Sequence, residues 1–100
     1  MIWYNVSIHL DPEIESDWVK WMQEVHLPAM MATGCFERFH FSRLIDPPAD
    51  DHIIYVAQYL AYDLQALENY YSKYSEDLRT DAINRWQNRF LVFRTVAQGL

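Results

Sequence analysis

The chain has 100 residues, of which 51% are hydrophobic and 16% aromatic, and its formal net charge is −6. This length predicts one domain spanning residues 1–100, and the apolar content excludes a disordered chain. The negative charge argues against nucleic acid or an anionic membrane as a partner, because both attract basic surfaces. With Cys35 as the only cysteine, no internal disulfide forms, and we expect a reducing, cytoplasmic location.

The first third of the chain predicts a strand followed by a helix. Apolar and polar side chains alternate over residues 2–10, which is typical of a strand with one apolar face. Apolar residues then recur at helical spacing over 13–26, with acidic residues in the first turns, where the helix dipole favours them. We expect this helix to end or kink just before Pro28, since proline removes a backbone donor. A short extra turn should begin at Pro28 and end at Gly34, which suits a left-handed residue.

Three further segments have strand patterns. Residues 35–45 alternate and carry three phenylalanines, and residues 53–62 are apolar on both faces except at Gln58. The second pattern is typical of a strand covered on both sides. The acidic, proline-containing segment 46–51 predicts a turn or loop between them. Residues 89–97 predict the last strand.

A second helix lies between the last two strands. Asp63 is a good N-cap, and helical spacing of apolar residues continues to residue 86. Ser75 either interrupts this helix or caps a new one. The complete order is therefore β-α-β-β-α-β.

This order predicts an α+β fold of the ferredoxin-like type, with a four-stranded antiparallel sheet and two helices on one face. The helices leave the other face open, yet we expect Val56 and Leu60 there on the third strand. On the last strand we expect Phe90 and Val92 there, next to Arg94. A second copy of the chain would cover these residues, so we predict a homodimer joined through the open sheet face, a dimeric α+β barrel.

Five short segments together resemble an uncharacterised bacterial family. They are YNV at 4–6, WVKWMQEVHLP at 18–28, ATGCF at 32–36, QY at 58–59 and FRT at 93–95. In this order they are similar to domain-of-unknown-function family 4286. The resemblance implies a dimeric α+β barrel, a group that includes cofactor-independent monooxygenases, muconolactone isomerases and haem-degrading enzymes. It implies no single chemistry, because one fold hosts many functions.

The sequence departs from the family pattern at two places. Cys35 stands where we expect a polar or basic residue after the glycine, and the loop at 46–51 is acidic with two prolines. Both departures bear on ligand specificity rather than on the fold.

Polar residues on the predicted open face form the first candidate site. Asn5, Ser7 and His9 share one face of the first strand, and we expect Gln58 and Arg94 to join them from adjoining strands. A buried arginine needs an acceptor, so Arg94 could hold an anionic or carbonyl ligand while Asn5 and Gln58 orient it. The alternative is a hydrogen-bond network that fixes the dimer register.

Two histidines are the catalytic candidates. His26 lies at the predicted end of the first helix, where the helix dipole would favour its charged form, and it could act as a general base at a pocket mouth. The alternative is a residue that only bonds the free carbonyls of the helix end. His9 is the weaker candidate and would have to reach the same cavity.

Arg43 is a weaker ligand-binding candidate on the second strand. We expect it at the rim, paired with acidic residues of the loop, Asp46, Asp50 and Asp51. The four histidines show no metal-ligand spacing and no glycine-rich phosphate loop exists, so we expect neither a metal nor a cofactor.

Three functions stay open at this point, and the sequence does not decide whether the protein is an enzyme. The first is a dimer that binds a small organic ligand, with Arg94, Asn5 and Gln58 converging on an enclosed cavity. The second is a cofactor-independent monooxygenase or isomerase acting on a small aromatic or carbonyl compound, with His26 or His9 in that cavity. The third is a purely structural interaction module.

Overall fold

The computed structural model describes residues 1–48 and 52–100. Its strands are β1 (Ile2–Leu10), β2 (Phe36–Arg43), β3 (Ile53–Ala61) and β4 (Phe90–Gln98). Its helices are α1 (Glu15–Trp21), α2 (Leu27–Ala32), α3 (Leu64–Lys73) and α4 (Ser75–Trp86). A 3₁₀ turn at Pro12–Ile14 precedes α1, and a π-helix at Met22–His26 joins α1 to α2. No helix in the described ranges is long and apolar enough to cross a membrane.

The four strands form one antiparallel sheet in the order β2-β3-β1-β4, which confirms the predicted ferredoxin-like fold. Tyr4 on the central strand lies opposite Tyr59 of β3 and Val96 of β4. Its side chain belongs to the face that packs against the helices, where Trp18 and Phe36 are also almost fully buried. The alternation in residues 2–10 therefore places its apolar set toward the helix layer, as predicted.

The first helical segment continues through Pro28 instead of ending before it. The backbone N–H of Leu27 donates to the carbonyl of Met22, five residues earlier, so one turn contains an additional residue. Because Pro28 has no backbone N–H, it is accommodated in the first turn of α2 directly after this π-helix. Gly34 then ends the helical segment with a φ of 75°, as the sequence predicts.

The second helical segment divides into α3 and α4 at Tyr74, whose φ of −128° is not helical. The break lies one residue before Ser75, whose hydroxyl donates to the carbonyl of Tyr71. At the start of α3, the carboxylate of Asp63 accepts a hydrogen bond of 2.8 Å from the backbone N–H of Ala66. The predicted N-cap is therefore confirmed.

Replacing Asp63 with alanine should lower the free energy of unfolding by about 1 kcal/mol, because this substitution removes the side-chain acceptor of the helix N-cap. Asp63→Asn is the control, since asparagine caps helices about as well as aspartate. Urea unfolding of both variants measures the difference. An equal loss in both variants would show that the charge, and not the cap, stabilises this end.

The register of β4 corrects one prediction about the open face. Phe90, Val92 and Arg94 pair with Leu10, Ile8 and Val6 and therefore lie on the helix side of the sheet. The open face of β4 carries the alternate set, which is Leu91, Phe93, Thr95 and Ala97. Both sets begin with large apolar residues, so alternation alone could not distinguish them. A shift of one residue moves the whole strand to the opposite face.

Candidate functional site

A small cavity lies between the sheet and the helix layer, with a volume of ≈ 60 Å³. Its walls come from all four helices, from the π-helix and from three strands. The polar side chains that line it are Tyr4, His26, Tyr59, Tyr70, Arg79 and Arg94. Arg94 is the exposed member of the described lining, so the cavity opens to solvent on its side, at the edge strand β4.

Two arginines reach this cavity from different elements, Arg79 from α4 and Arg94 from β4. The guanidinium of Arg79 donates through Nη2 to the phenol oxygen of Tyr4 at 3.3 Å. Its Nε is buried and has no hydrogen-bond partner. Within residues 1–48 and 52–100, neither arginine forms a salt bridge, and no aspartate or glutamate lines the cavity. The described lining of the cavity thus carries two positive charges and no carboxylate that would balance them.

His26 enters the cavity because of the π-helix. Its ring stacks on Trp21, with centroids 5.0 Å apart and planes inclined by 22°. In a regular α-helix, residues five apart point about 140° away from each other, so these two rings could not stack. The additional residue in the π-helix brings His26 onto the same side as Trp21, and both line the cavity.

Burial lowers the pKa of His26 to about 4. The carboxylate of Asp81 opposes this shift and the guanidinium of Arg94 adds to it. The imidazole is therefore neutral at pH 7, which corrects the expectation that a helix end would favour its charged form. A neutral imidazole carries one N–H donor and one nitrogen acceptor, so His26 can both donate and accept a hydrogen bond.

Tyr59 and Tyr70, two tyrosines of the cavity, are proton donors rather than phenolates. Burial raises the pKa values of Tyr59 and Tyr70 well above their ordinary value, and the neighbouring Tyr4 adds to both shifts. The hydroxyl of Tyr70 donates to the sulfur of Met30 at 3.5 Å. The polar lining thus contains two cations, the neutral phenols of Tyr59 and Tyr70, and one neutral imidazole, which is an arrangement suited to an anionic group.

Asn5 and Gln58 lie on the open face and do not meet Arg94, which corrects the predicted convergence. The amide of Gln58 donates to Asn5 at 3.2 Å, and the amide of Asn5 donates to the Thr95 hydroxyl at 3.4 Å. This chain of hydrogen bonds crosses three strands. Its position agrees with the alternative reading, a polar network on the face that a second copy would cover.

His9 also lies on the open face and does not line the cavity. Its ring meets the edge of Phe93 at 5.0 Å and lies 4.8 Å from the ring of His52. A shallow depression of ≈ 260 Å³ adjoins these histidines and includes Arg89. Because Arg89 is held by Asp11 at 2.7 Å, and by a second carboxylate, its charge is already neutralised.

The described residues contain no group of three or more metal-ligating side chains.

Arg43 pairs with a helix residue, Glu15 of α1. Its Nε donates to Glu15 at 2.9 Å, and the hydroxyl of Tyr55 donates to the same carboxylate oxygen at 2.8 Å. The bonds from Tyr55 and Arg43 lower the pKa of Glu15. Of the predicted loop partners, Asp50 and Asp51 lie outside the described residues.

Arg79 was not among the residues predicted from the sequence. It precedes Ala82 by three positions and Trp86 by seven, so it belongs to the buried stripe of α4. An arginine inside such a stripe is a signal, because burying a cation is costly unless it is paired or serves a ligand. Tyr4, Tyr59 and Tyr70 carried no such signal, since their spacing is that of ordinary core residues.

Solved structures with the same fold come from several organisms. An ethyl tert-butyl ether D (EthD) family protein from Bacillus halodurans has 13% identity, 100% coverage of both chains and a TM-score of 0.71. A dimeric ferredoxin-like protein from an uncultured marine organism has 12% identity, 99% and 94% coverage, and a TM-score of 0.71. SnoaB, a cofactor-independent oxygenase from Streptomyces nogalater, has 13% identity, 98% and 92% coverage, and a TM-score of 0.57.

These identities establish similarity of fold alone. No curated protein matches the sequence. A family model tests the resemblance seen in the sequence. The model described as Domain of unknown function (DUF4286) matches residues 1–99. Since the match spans nearly the whole chain, this protein belongs to the DUF4286 family.

Proposed function

We propose that the protein is a homodimer that binds a small organic ligand in the cavity between its sheet and its helices. The observation that carries this proposal is the pair Arg79 and Arg94, which line one cavity without a salt bridge to any described residue. The buried Nε of Arg79 has no partner, and leaving a buried polar group unsatisfied costs free energy. A bound ligand with an acceptor atom would remove that cost.

The open sheet face supports the homodimer. On β4 it presents Leu91, which is 65% exposed, and Phe93, which is 58% exposed. On β3, which β1 separates from β4, the half-buried Val56 lies on the same face. A second copy would bury it, and the hydrogen-bond network around Asn5 could set the register. A structure of the same fold is described as a dimeric ferredoxin-like protein.

The cytoplasmic location expected from Cys35 stays a prediction.

A second candidate function is a cofactor-independent enzyme acting on a small aromatic or carbonyl compound. The observation that favours it is the neutral His26 in the same cavity as Arg94. In such an enzyme His26 would remove a proton from the ligand, and Arg94 would stabilise the oxyanion that forms. SnoaB, whose name records a cofactor-independent oxygenase, has a similar fold.

A thermal-shift screen against small organic compounds, including short aliphatic carboxylates, their amides and aromatic acids, tests the proposal. A ligand present at about a hundred times its Kd should stabilise the protein by about 2.7 kcal/mol. We expect hits whose effect is lost in Arg94→Gln and kept in Arg85→Gln, which removes the same charge from outside the cavity. Hits that survive Arg94→Gln would place the ligand elsewhere, and no hits would favour the purely structural module.

The enzyme candidate needs a separate comparison. His26→Gln should still bind the ligands found in the screen but should no longer turn them over, because glutamine accepts no proton at neutral pH. Turnover that persists in His26→Gln would exclude His26 as the base.

A further inference from the structure

We infer that the cavity selects a small carboxylate, of acetate to propionate size, and that Arg79 and Arg94 bind its oxygens. This inference rests on the proposed ligand-binding function and names the class of ligand. Three observations carry it: the charge of the cavity, the unused donor of Arg79 and the volume of the cavity.

The charge of the cavity favours an anion over a neutral molecule. Arg79 and Arg94 contribute two positive charges, while the imidazole of His26 and two of the phenols are neutral. Asp81 influences His26 from nearby but does not line the cavity. An anionic group would therefore find an uncompensated positive potential inside a mostly apolar wall, where screening by water is weak.

The donor geometry favours a carboxylate. Nη2 of Arg79 is occupied by the phenol oxygen of Tyr4, whereas Nε of the same guanidinium is buried and unpartnered. Guanidinium groups bind the two oxygens of a carboxylate through adjacent N–H donors. A carboxylate that accepts from Nε of Arg79 would satisfy the orphan donor. Arg94, at the solvent side of the cavity, can meet the other oxygen.

The volume limits the size of the ligand. A cavity of roughly 150 Å³ holds one benzene molecule in an engineered protein core. The volume here is ≈ 60 Å³, so a complete aromatic ring does not fit inside without protruding or moving the walls. An acetate or propionate ion is smaller than benzene, and with its carboxylate toward the opening beside Arg94 its short alkyl end would lie against apolar residues such as Val6 and Met30.

Titration of the intact protein with sodium propionate, at constant ionic strength set by sodium chloride, tests this inference. Amide chemical shifts report binding and its position, and propionamide is the neutral isostere. We expect propionate to shift amides around the cavity and to bind at least tenfold more tightly than propionamide. In Arg94→Gln, which changes an exposed side chain and should fold, propionate affinity should fall at least tenfold. Arg79→Gln should show the same loss, and Arg85→Gln should keep the wild-type affinity.

The possible results separate this inference from the proposed function. If propionamide or another neutral compound binds as well as propionate, the cavity binds ligands but the anion preference is wrong. If benzoate binds tenfold more tightly than propionate, the size limit is wrong. If propionate, propionamide and benzoate all fail, and the wider screen also gives no hits, both the inference and the proposed function fail.

Discussion

Phe93→Glu should convert the proposed dimer to a monomer. Phe93 is 58% exposed on the open face of β4, so its replacement costs little in the single chain. In a dimer formed through this face, two-fold symmetry would bury two new carboxylates, and burying an unpaired charge costs several kcal/mol. We expect the dimer Kd to rise at least a hundredfold, about 2.7 kcal/mol, measured by analytical ultracentrifugation over a range of protein concentrations.

Ile83→Glu is the matched control for this substitution. Ile83 is 56% exposed, but it lies on α4 in the helix layer, away from the open face. The Ile83→Glu variant should remain dimeric. If Ile83→Glu dissociates the dimer and Phe93→Glu does not, the two copies meet through their helices. A wild-type protein that is monomeric at all concentrations would refute the dimer itself.

Lowering the pH from 7 to 4.5 should destabilise the wild-type protein through His26. The pKa of His26 is about 4 in the folded chain, against an ordinary value of 6.5. Below pH 6.5 the unfolded chain binds a proton that the folded chain does not yet bind, so stability falls as the pH falls through this window. The loss from this residue should reach about 2.5 kcal/mol at pH 4.5, and it should level off below the folded pKa.

His26→Gln isolates this contribution, because the variant cannot titrate there while all other groups still do. Glu15 and Asp11, whose pKa values are lowered in the folded chain, lose their stabilising interactions at low pH in both proteins. Urea unfolding at pH 7 and at pH 4.5 gives the loss for each protein. The wild type should lose about 2.5 kcal/mol more than His26→Gln. Equal losses would mean that His26 is accessible to protons in the folded state.

The strands and the helix ends could be predicted because each depends on local chemistry. Alternation defines β1, the carboxylate of Asp63 caps α3, and Gly34 accepts a left-handed backbone that other residues resist. The face of β4 could not be predicted in this way. Phe90 and Leu91 are both large and apolar, so only the pairing with β1 decides which of them faces the helices.

The sequence indicates single residues of the candidate site, but it does not indicate which of them lie together. Arg94 and His26 stand out in the sequence, yet nothing local shows that they meet. Their meeting depends on the strand register and on the π-helix, which are both consequences of tertiary packing. The sequence pattern places Asn5, Gln58 and Arg94 on one face and so predicts that they meet. In the structure, Arg94 lies on the helix side of the sheet, whereas Asn5 and Gln58 lie on its open face.

The π-helix between α1 and α2 is equivalent to the insertion of one residue into a regular helix. Deleting one residue from this segment would restore the α-helical repeat and leave the helical hydrogen bonds largely intact. His26 would then follow Trp21 by four residues, which is about 40° around a regular helix, so its ring would stay on the cavity side. A single codon can therefore be lost from this segment while both the fold and the imidazole in the cavity are kept. The π-helix absorbs a change in chain length that a regular helix would pass on to the site.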